Sequence, residues 1–157
     1  MSMVEIHNSV AKVYEENKET LEIFECLDEF SDTLNFCDHY GFDIEDSCNA
    51  ILIKAKKPEE FYAMFCVLGA NRLDVNQKAK EAMRAKRVSF ASREEAEDVT
   101  GQIYGGISPL GLPENIKVYM DKNVTDREKI FIGAGNRVSK FFLSPETLID
   151  LSSATVL

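Results

Sequence analysis

Apolar residues fall into short runs of two different periods, and these runs define the elements. Val4, Ile6, Val10, Val13 and Tyr14 recur at roughly helical spacing, which predicts an amphipathic helix over residues 4–19. Leu21 to Cys26 partly alternates and predicts a strand. Ser31 or Asp32 can cap a short helix that Gly41 ends in the left-handed conformation. The runs Asn49–Ile53 and Phe61–Leu68 have the continuous apolar character of buried strands. Asn71-Arg72-Leu73-Asp74 reads as a turn, with Asp74 capping a basic helix that extends to about Arg84. Val88–Ala91 predicts a strand, and Ser92 with Glu95 forms a capping box for a helix ending at Gly101. Ile116–Met120, Lys129–Ile132 and Val138–Leu143 predict three more strands. Ser144 followed by Pro145 opens a last helix, and Ala154–Leu157 predicts a terminal strand. The interleaving lacks regular βαβ spacing. It predicts an α+β fold, a mixed α/β arrangement with helices packed on a mixed sheet, rather than a doubly wound one.

Composition narrows the class. The 157 residues are 45% hydrophobic and 29% charged, too apolar for a disordered chain. A chain of this length buries roughly 70% of its unfolded surface and needs no staples. One domain over residues 1–157 is expected, with residues 1–19 as an N-terminal helical extension. No run reaches the ~18 apolar residues of a membrane span, and the first ten residues lack the pattern of a signal peptide. The cysteines at 26, 37, 48 and 66 form no CxxC pair, so reduced thiols in a cytoplasmic protein are expected, with no structural zinc.

Charge changes the picture once its distribution is considered. The net charge is −9, yet residues 1–46 hold 13 acids against two bases. Residues 54–93 hold ten bases and four acids. This stretch is either a solvated face or a cationic surface that meets phosphates, which the global acidity would hide.

Two glycine-rich loops are the candidate chemistry. The first runs from Gly105 to Pro113, where Gly105-Gly106 lets the backbone approach a ligand and Pro109 and Pro113 stiffen the loop. The second is Gly133-Ala134-Gly135-Asn136-Arg137, between two predicted strands. Its small residues can expose backbone N–H groups to an oxyanion, and a hairpin turn explains them equally well. Neither loop is a dinucleotide or P-loop fingerprint. Cys37 and His39 lie two apart on a helix and diverge, which fits a core cysteine and a surface histidine. Two histidines in all support no Ser-His-Asp constellation.

The ordered set Gly106-Ile107-Ser108-Pro109-Leu110-Gly111-Leu112, Ile132-Gly133-Ala134-Gly135-Asn136-Arg137 and Leu143-Ser144-Pro145-Glu146 resembles the YbaK/prolyl-tRNA-synthetase-associated domain. Asp32-Thr33 with Cys37 and Tyr40-Gly41, Asn49–Ile53, Arg72-Leu73-Asp74 and Ser92 to Gly101 extend the resemblance to roughly residues 20–157. It implies a single domain built on a twisted mixed sheet, partly barrel-like, with helices packed around it. It also implies an editing hydrolase that deacylates mischarged tRNA without cofactor or metal. The partners implied are the mischarged tRNA and, as an option, an aminoacyl-tRNA synthetase. By the same resemblance, Asn49, Gly105, Gly106, Ser108, Gly133 and Gly135 form the catalytic set. Thr33, Ile51, Pro109, Ala134 and Arg137 form the substrate-binding set. Catalysis would come from backbone groups of the two loops and from a hydroxyl of the tRNA.

One departure bears on activity. Many members of that family carry a lysine where this chain has Asn49. An amide keeps hydrogen-bonding capacity and loses charge, so Asn49 marks either a subgroup with different substrate handling or a loss of catalysis. In the latter case the chain is a non-catalytic module that binds tRNA or a synthetase. Lys54 is no ready substitute, because an odd-to-even step along a strand reverses the face.

Overall fold

In the computed structural model, residues 4–69, 71 and 73–157 are described. Arg72, part of the expected turn, lies outside the described residues. The helices are α1 (Asn8–Glu16), α2 (Thr33–Tyr40), α3 (Lys80–Met83), α4 (Arg93–Thr100) and α5 (Pro145–Ser152). The strands are β1 (Glu22–Glu25), β2 (Cys48–Lys57), β3 (Phe61–Leu68), β4 (Arg87–Phe90), β5 (Lys117–Met120), β6 (Ile130–Gly133), β7 (Ser139–Leu143) and β8 (Thr155–Val156). Among these residues no helix is long and apolar enough to cross a membrane.

Local chemistry sets the helix ends. The Asp32 carboxylate accepts from the Asn35 N–H, and Gly41 closes α2 at φ 78°. Ser92 and Glu95 form the reciprocal capping box of α4, which Gly101 ends at φ 71°. Ser144 caps α5, with Pro145 in its first turn. The basic helix expected after Asp74 is a π-helical turn, Val75–Ala79, followed by α3.

The strands form two sheets, in the orders β1-β7-β6 and β4-β2-β3-β5-β8. The expected mixed α/β fold, with helices packed on a mixed sheet, is thus observed, its strands divided between two sheets that do not close into a barrel. They are joined at one isolated parallel bridge, Ser47 to Phe131, rather than by a closing ladder. The main core lies between them. Leu52, Met64, Cys66 and Val118 face Ile130, Ile132, Phe141 and Leu143 there. Successive residues of β3 point to opposite faces, and Ala63, Phe65 and Val67 pack on Ala79 and Met83 behind the larger sheet. Both faces of β3 are thus covered, which explains its continuous apolar run. On the outer face of the smaller sheet, Phe24, Phe131 and Phe142 pack with Phe36 and Cys37 of α2. Val10 of α1 is buried in the main core and Tyr14 stacks on Phe141 at 5.9 Å, so the helix expected as an extension is part of the packed body.

Glu95 ties α4 to the larger sheet. Its carboxylate meets the Lys54 ammonium at 2.8 Å, and the Tyr62 hydroxyl donates to it at 2.7 Å. Lys54 foremost, then Tyr62 and the Ser92 N–H, lower the Glu95 pKa from 4.5 to about 2. A depressed carboxyl pKa stabilises the fold above the unfolded value and loses that contribution as pH falls through the folded value. Glu95→Gln is therefore expected to melt below the wild type at pH 7. The gap in thermal melts should close between about pH 4.5 and pH 2; a gap constant over that range would contradict the assignment.

Candidate functional site

A cavity of about 350 Å³ opens at the seam between the two sheets. Ser31 to Thr33, leading into α2, form one side, and Ser47 to Ala50, at the start of β2, form another. Tyr104 to Ile107 of the first glycine loop and Phe131 to Gly133 of β6 complete it, with Arg137 and Lys140.

The two glycine loops meet because neither carries side chains where they touch. The Gly135 N–H donates to the Gly106 carbonyl at 2.7 Å, and the Ile103 N–H donates to the Gly135 carbonyl at 2.9 Å. A Cβ on Gly106 would overlap the Asn136 carbonyl, and one on Gly133 would press on the carbonyls of Gly106 and Ile107. Gly135 sits at φ 93°, a conformation glycine adopts without strain. The Asn136 side chain supports the turn by accepting from the Val138 N–H at 3.0 Å and the Ser139 hydroxyl at 2.8 Å.

These bonds sort the backbone donors. The Gly106 N–H is used within its own loop, on the Ile103 carbonyl at 3.0 Å, and the Gly135 N–H is used between loops. Among the described residues, the N–H groups of Gly105 and Ile107 have no hydrogen-bond acceptor, and both residues line the cavity. The Thr33 N–H, in the first turn of α2, is likewise without an intrahelical acceptor. Unused backbone donors are therefore present on wall residues of the cavity, from the first loop and from a helix start.

Of the residues singled out from the sequence, Thr33, Asn49, Gly105, Gly106, Gly133 and Arg137 line this cavity. Asn49 takes a weak 3.4 Å bond from the Ser47 hydroxyl. Arg137 is neutralised by Asp28, 2.8 Å from its Nε. Ser108, Pro109, Ile51, Ala134 and Gly135 lie outside the lining. Ser108 is fully buried; its hydroxyl accepts from the Leu110 N–H at 3.1 Å and its N–H donates to Gln102. Pro109 borders a separate cavity on the far side of the loop. Ile51 packs behind the larger sheet, and Ala134 lies in the main core. Lys54 is held between Glu60 and Glu95, away from the cavity. Cys37 is buried, and His39 stacks on Phe30 at 3.7 Å.

Lys140 is the residue that sequence reasoning missed. It is only 7% exposed, and its ammonium donates to the Ser31 carbonyl at 3.0 Å and lies 4.9 Å from the Phe36 ring centroid. Burial lowers its pKa, and burial likewise pushes up the neighbouring Cys26 and Cys37 thiols. Among the described residues no carboxylate pairs with Lys140. The sequence signal was a single charged residue inside the strand Val138–Leu143, which is otherwise apolar apart from Ser139.

The model of the aminoacyl-tRNA editing domain matches residues 29–151, so the chain belongs to that family. Among curated proteins, an Enterococcus faecalis protein named "Putative Cys-tRNA(Pro)/Cys-tRNA(Cys) deacylase EbsC" is 31% identical over 85 residues, 54% of this chain and 51% of that protein. A "Proline--tRNA ligase" of Streptococcus suis is 40% identical over 57 residues, 36% of this chain and 9% of the ligase. The matched part thus spans about half of the first relative and a small share of the second. A solved structure described as "a putative trans-editing enzyme for prolyl tRNA synthetase" has the same fold, with a TM-score of 0.82 at 22% identity over 98% of this chain and 97% of that one.

The loop contact is testable by adding one methyl group. Gly106→Ala must displace the Asn136 backbone, which has no rotamer to yield, and is expected to cost about 1–3 kcal/mol in denaturant unfolding. An unchanged unfolding midpoint would show that the loops do not depend on this contact.

Proposed function

We propose that the chain is a trans-acting editing hydrolase that removes the amino acid from mischarged tRNA. The observation that carries this reading is the cavity walled by both glycine loops and the start of α2, in a member of the editing family. A volume of about 350 Å³ falls within the range of small-molecule sites and suits an aminoacyl group on a ribose. Editing meets a physical need, because one methylene is worth only about 1–3 kcal/mol of discrimination at a synthetase.

In the proposed reaction a water oxygen attacks the ester carbonyl, and the carbonyl electron pair moves onto its oxygen. The N–H groups of Gly105 and Ile107 are the unused backbone donors to meet that charge. Collapse breaks the bond to the ribose oxygen, which leaves with a proton relayed from the attacking water by the neighbouring ribose hydroxyl. Free amino acid and intact tRNA result. Asn49 would hold the ribose by hydrogen bonds, a role an amide fills without charge.

The basic stretch fits a second contact, with the tRNA backbone. β2 begins at the cavity, and Lys56 and Lys57 lie at its other end, Lys57 eight residues beyond Asn49 or roughly 26 Å. Lys57 pairs there with Arg87 of β4, and Lys86 adjoins it. Among the described residues none of these four cations is in an ion pair.

A deacylation assay over a panel of mischarged tRNAs tests the reading. Turnover of at least one, far above spontaneous ester hydrolysis, is expected; tRNA binding with no hydrolysis across the panel would contradict it and favour a non-catalytic module. Replacing Lys56, Lys57, Lys86 and Arg87 by alanine should weaken tRNA binding. It should also flatten its salt dependence, by about 0.7–0.9 in log–log slope for each phosphate no longer neutralised. An unchanged slope would remove this end of the molecule from the interface.

A further inference from the structure

We propose that the Lys140 ammonium stabilises the negative charge that develops on the ester carbonyl oxygen within the cavity. This inference rests on the editing reading above and adds to it a side chain that neither the family match nor the sequence motifs single out.

The register of the smaller sheet puts the lysine there. Lys140 lies directly across from Gly133 on β6 and from Phe24 on β1. Directly paired residues of an antiparallel ladder project to the same face. The side chain therefore leaves on the face where Gly133 lacks a Cβ and where the carbonyls of Gly106 and Ile107 approach. One ammonium donor is used on the Ser31 carbonyl, and the Phe36 ring takes the cation from another side. A lysine has three donors, so this leaves capacity toward the cavity that Lys140 lines.

A solely structural lysine fits these facts poorly. A buried ammonium is normally paired with a carboxylate, because desolvation of a lone charge is costly. The part-buried cations Lys54 and Arg127 each have a carboxylate partner; the buried Lys140, among the described residues, has none. Asp32 is the one carboxylate in the described lining, and it caps α2. An unbalanced cation in a cleft is the arrangement that stabilises a transient anion, and the effect is strongest where water is excluded and the donor is already oriented. At 7% exposure Lys140 is largely shielded from bulk solvent, and it lines the cavity. That favours the aminoacyl carbonyl over a backbone phosphate, which stays outside on the nucleic acid.

Two adenosine derivatives separate the claims by calorimetric titration without requiring turnover. One carries the amino acid as a neutral 3′-amide; the other carries the matching aminoalkylphosphonate monoester, tetrahedral and anionic. The wild type should bind the phosphonate at least about tenfold tighter than the amide. Lys140→Met should erase that preference while holding the amide affinity within about threefold, and Lys140→Arg should keep part of it. A preference that survives in Lys140→Met would overturn the proposal. So would a Lys140→Met protein that loses affinity for both compounds equally, since that marks a structural role. If the wild type binds neither compound, the editing reading itself fails and the proposal falls with it. In the deacylation assay, Lys140→Met should lower kcat by about 100-fold or more with little change in KM.

Discussion

The hydrogen bond from the Gly135 N–H to the Gly106 carbonyl, with the bare Gly106 backbone seated against Asn136, is the contact on which the site depends. It joins two loops that are about thirty residues apart in the chain and that no ladder connects. It consumes the N–H of Gly135, and the Gly106 N–H goes to Ile103, so the donors left over belong to Gly105 and Ile107. The same contact sets Gly133 beneath the first loop, directly across the ladder from Lys140. A methyl group at either interface glycine would separate the loops, and the cavity wall would go with them.

The two-sheet architecture supplies the space. A closed barrel would fill its interior with side chains, as small barrels do. Here the two sheets pack across the main core, and among the described residues their backbones meet at one bridge, Ser47 to Phe131, with the cavity opening beside it. Five segments from distant parts of the chain converge on that seam. The polar groups of the site therefore face one another across the seam, while the apolar core lies between the sheets and the aromatic cluster behind the smaller one.

Most elements were legible in the sequence because their signals are local. The Ser92–Glu95 capping box, Pro145 after Ser144, Gly41 and Gly101 all report a backbone conformation within one helical turn. The run from Phe61 to Leu68 matched β3 residue for residue. Long-range facts were not legible. Nothing local states that the strands divide into two sheets, since that depends on which edges meet. Ser108, placed in the catalytic set by the family resemblance, is drawn inward by Gln102 and Leu110, a long-range arrangement with no local signal. Lys140 was hidden as well: within a strand its direction depends on register with Gly133 and Phe24. The resemblance to the editing family held over most of the chain, and it identified the loops without identifying the buried cation.

Charge organises the account at a larger scale. The acids concentrate in the first 46 residues, and, among the described residues, Lys56 and Lys57 stand outside any ion pair at the far end of β2, the strand that starts at the cavity. The central claim is that the aminoacyl end of a tRNA enters the seam between the loops. Amide chemical-shift mapping, with the non-hydrolysable 3′-aminoacylamino-3′-deoxyadenosine titrated into labelled protein, addresses it most directly. The account predicts saturable shifts at Thr33, Asn49, Gly105, Ile107 and Gly133. Shifts confined to other surfaces, with those five amides unmoved at saturation, would contradict it.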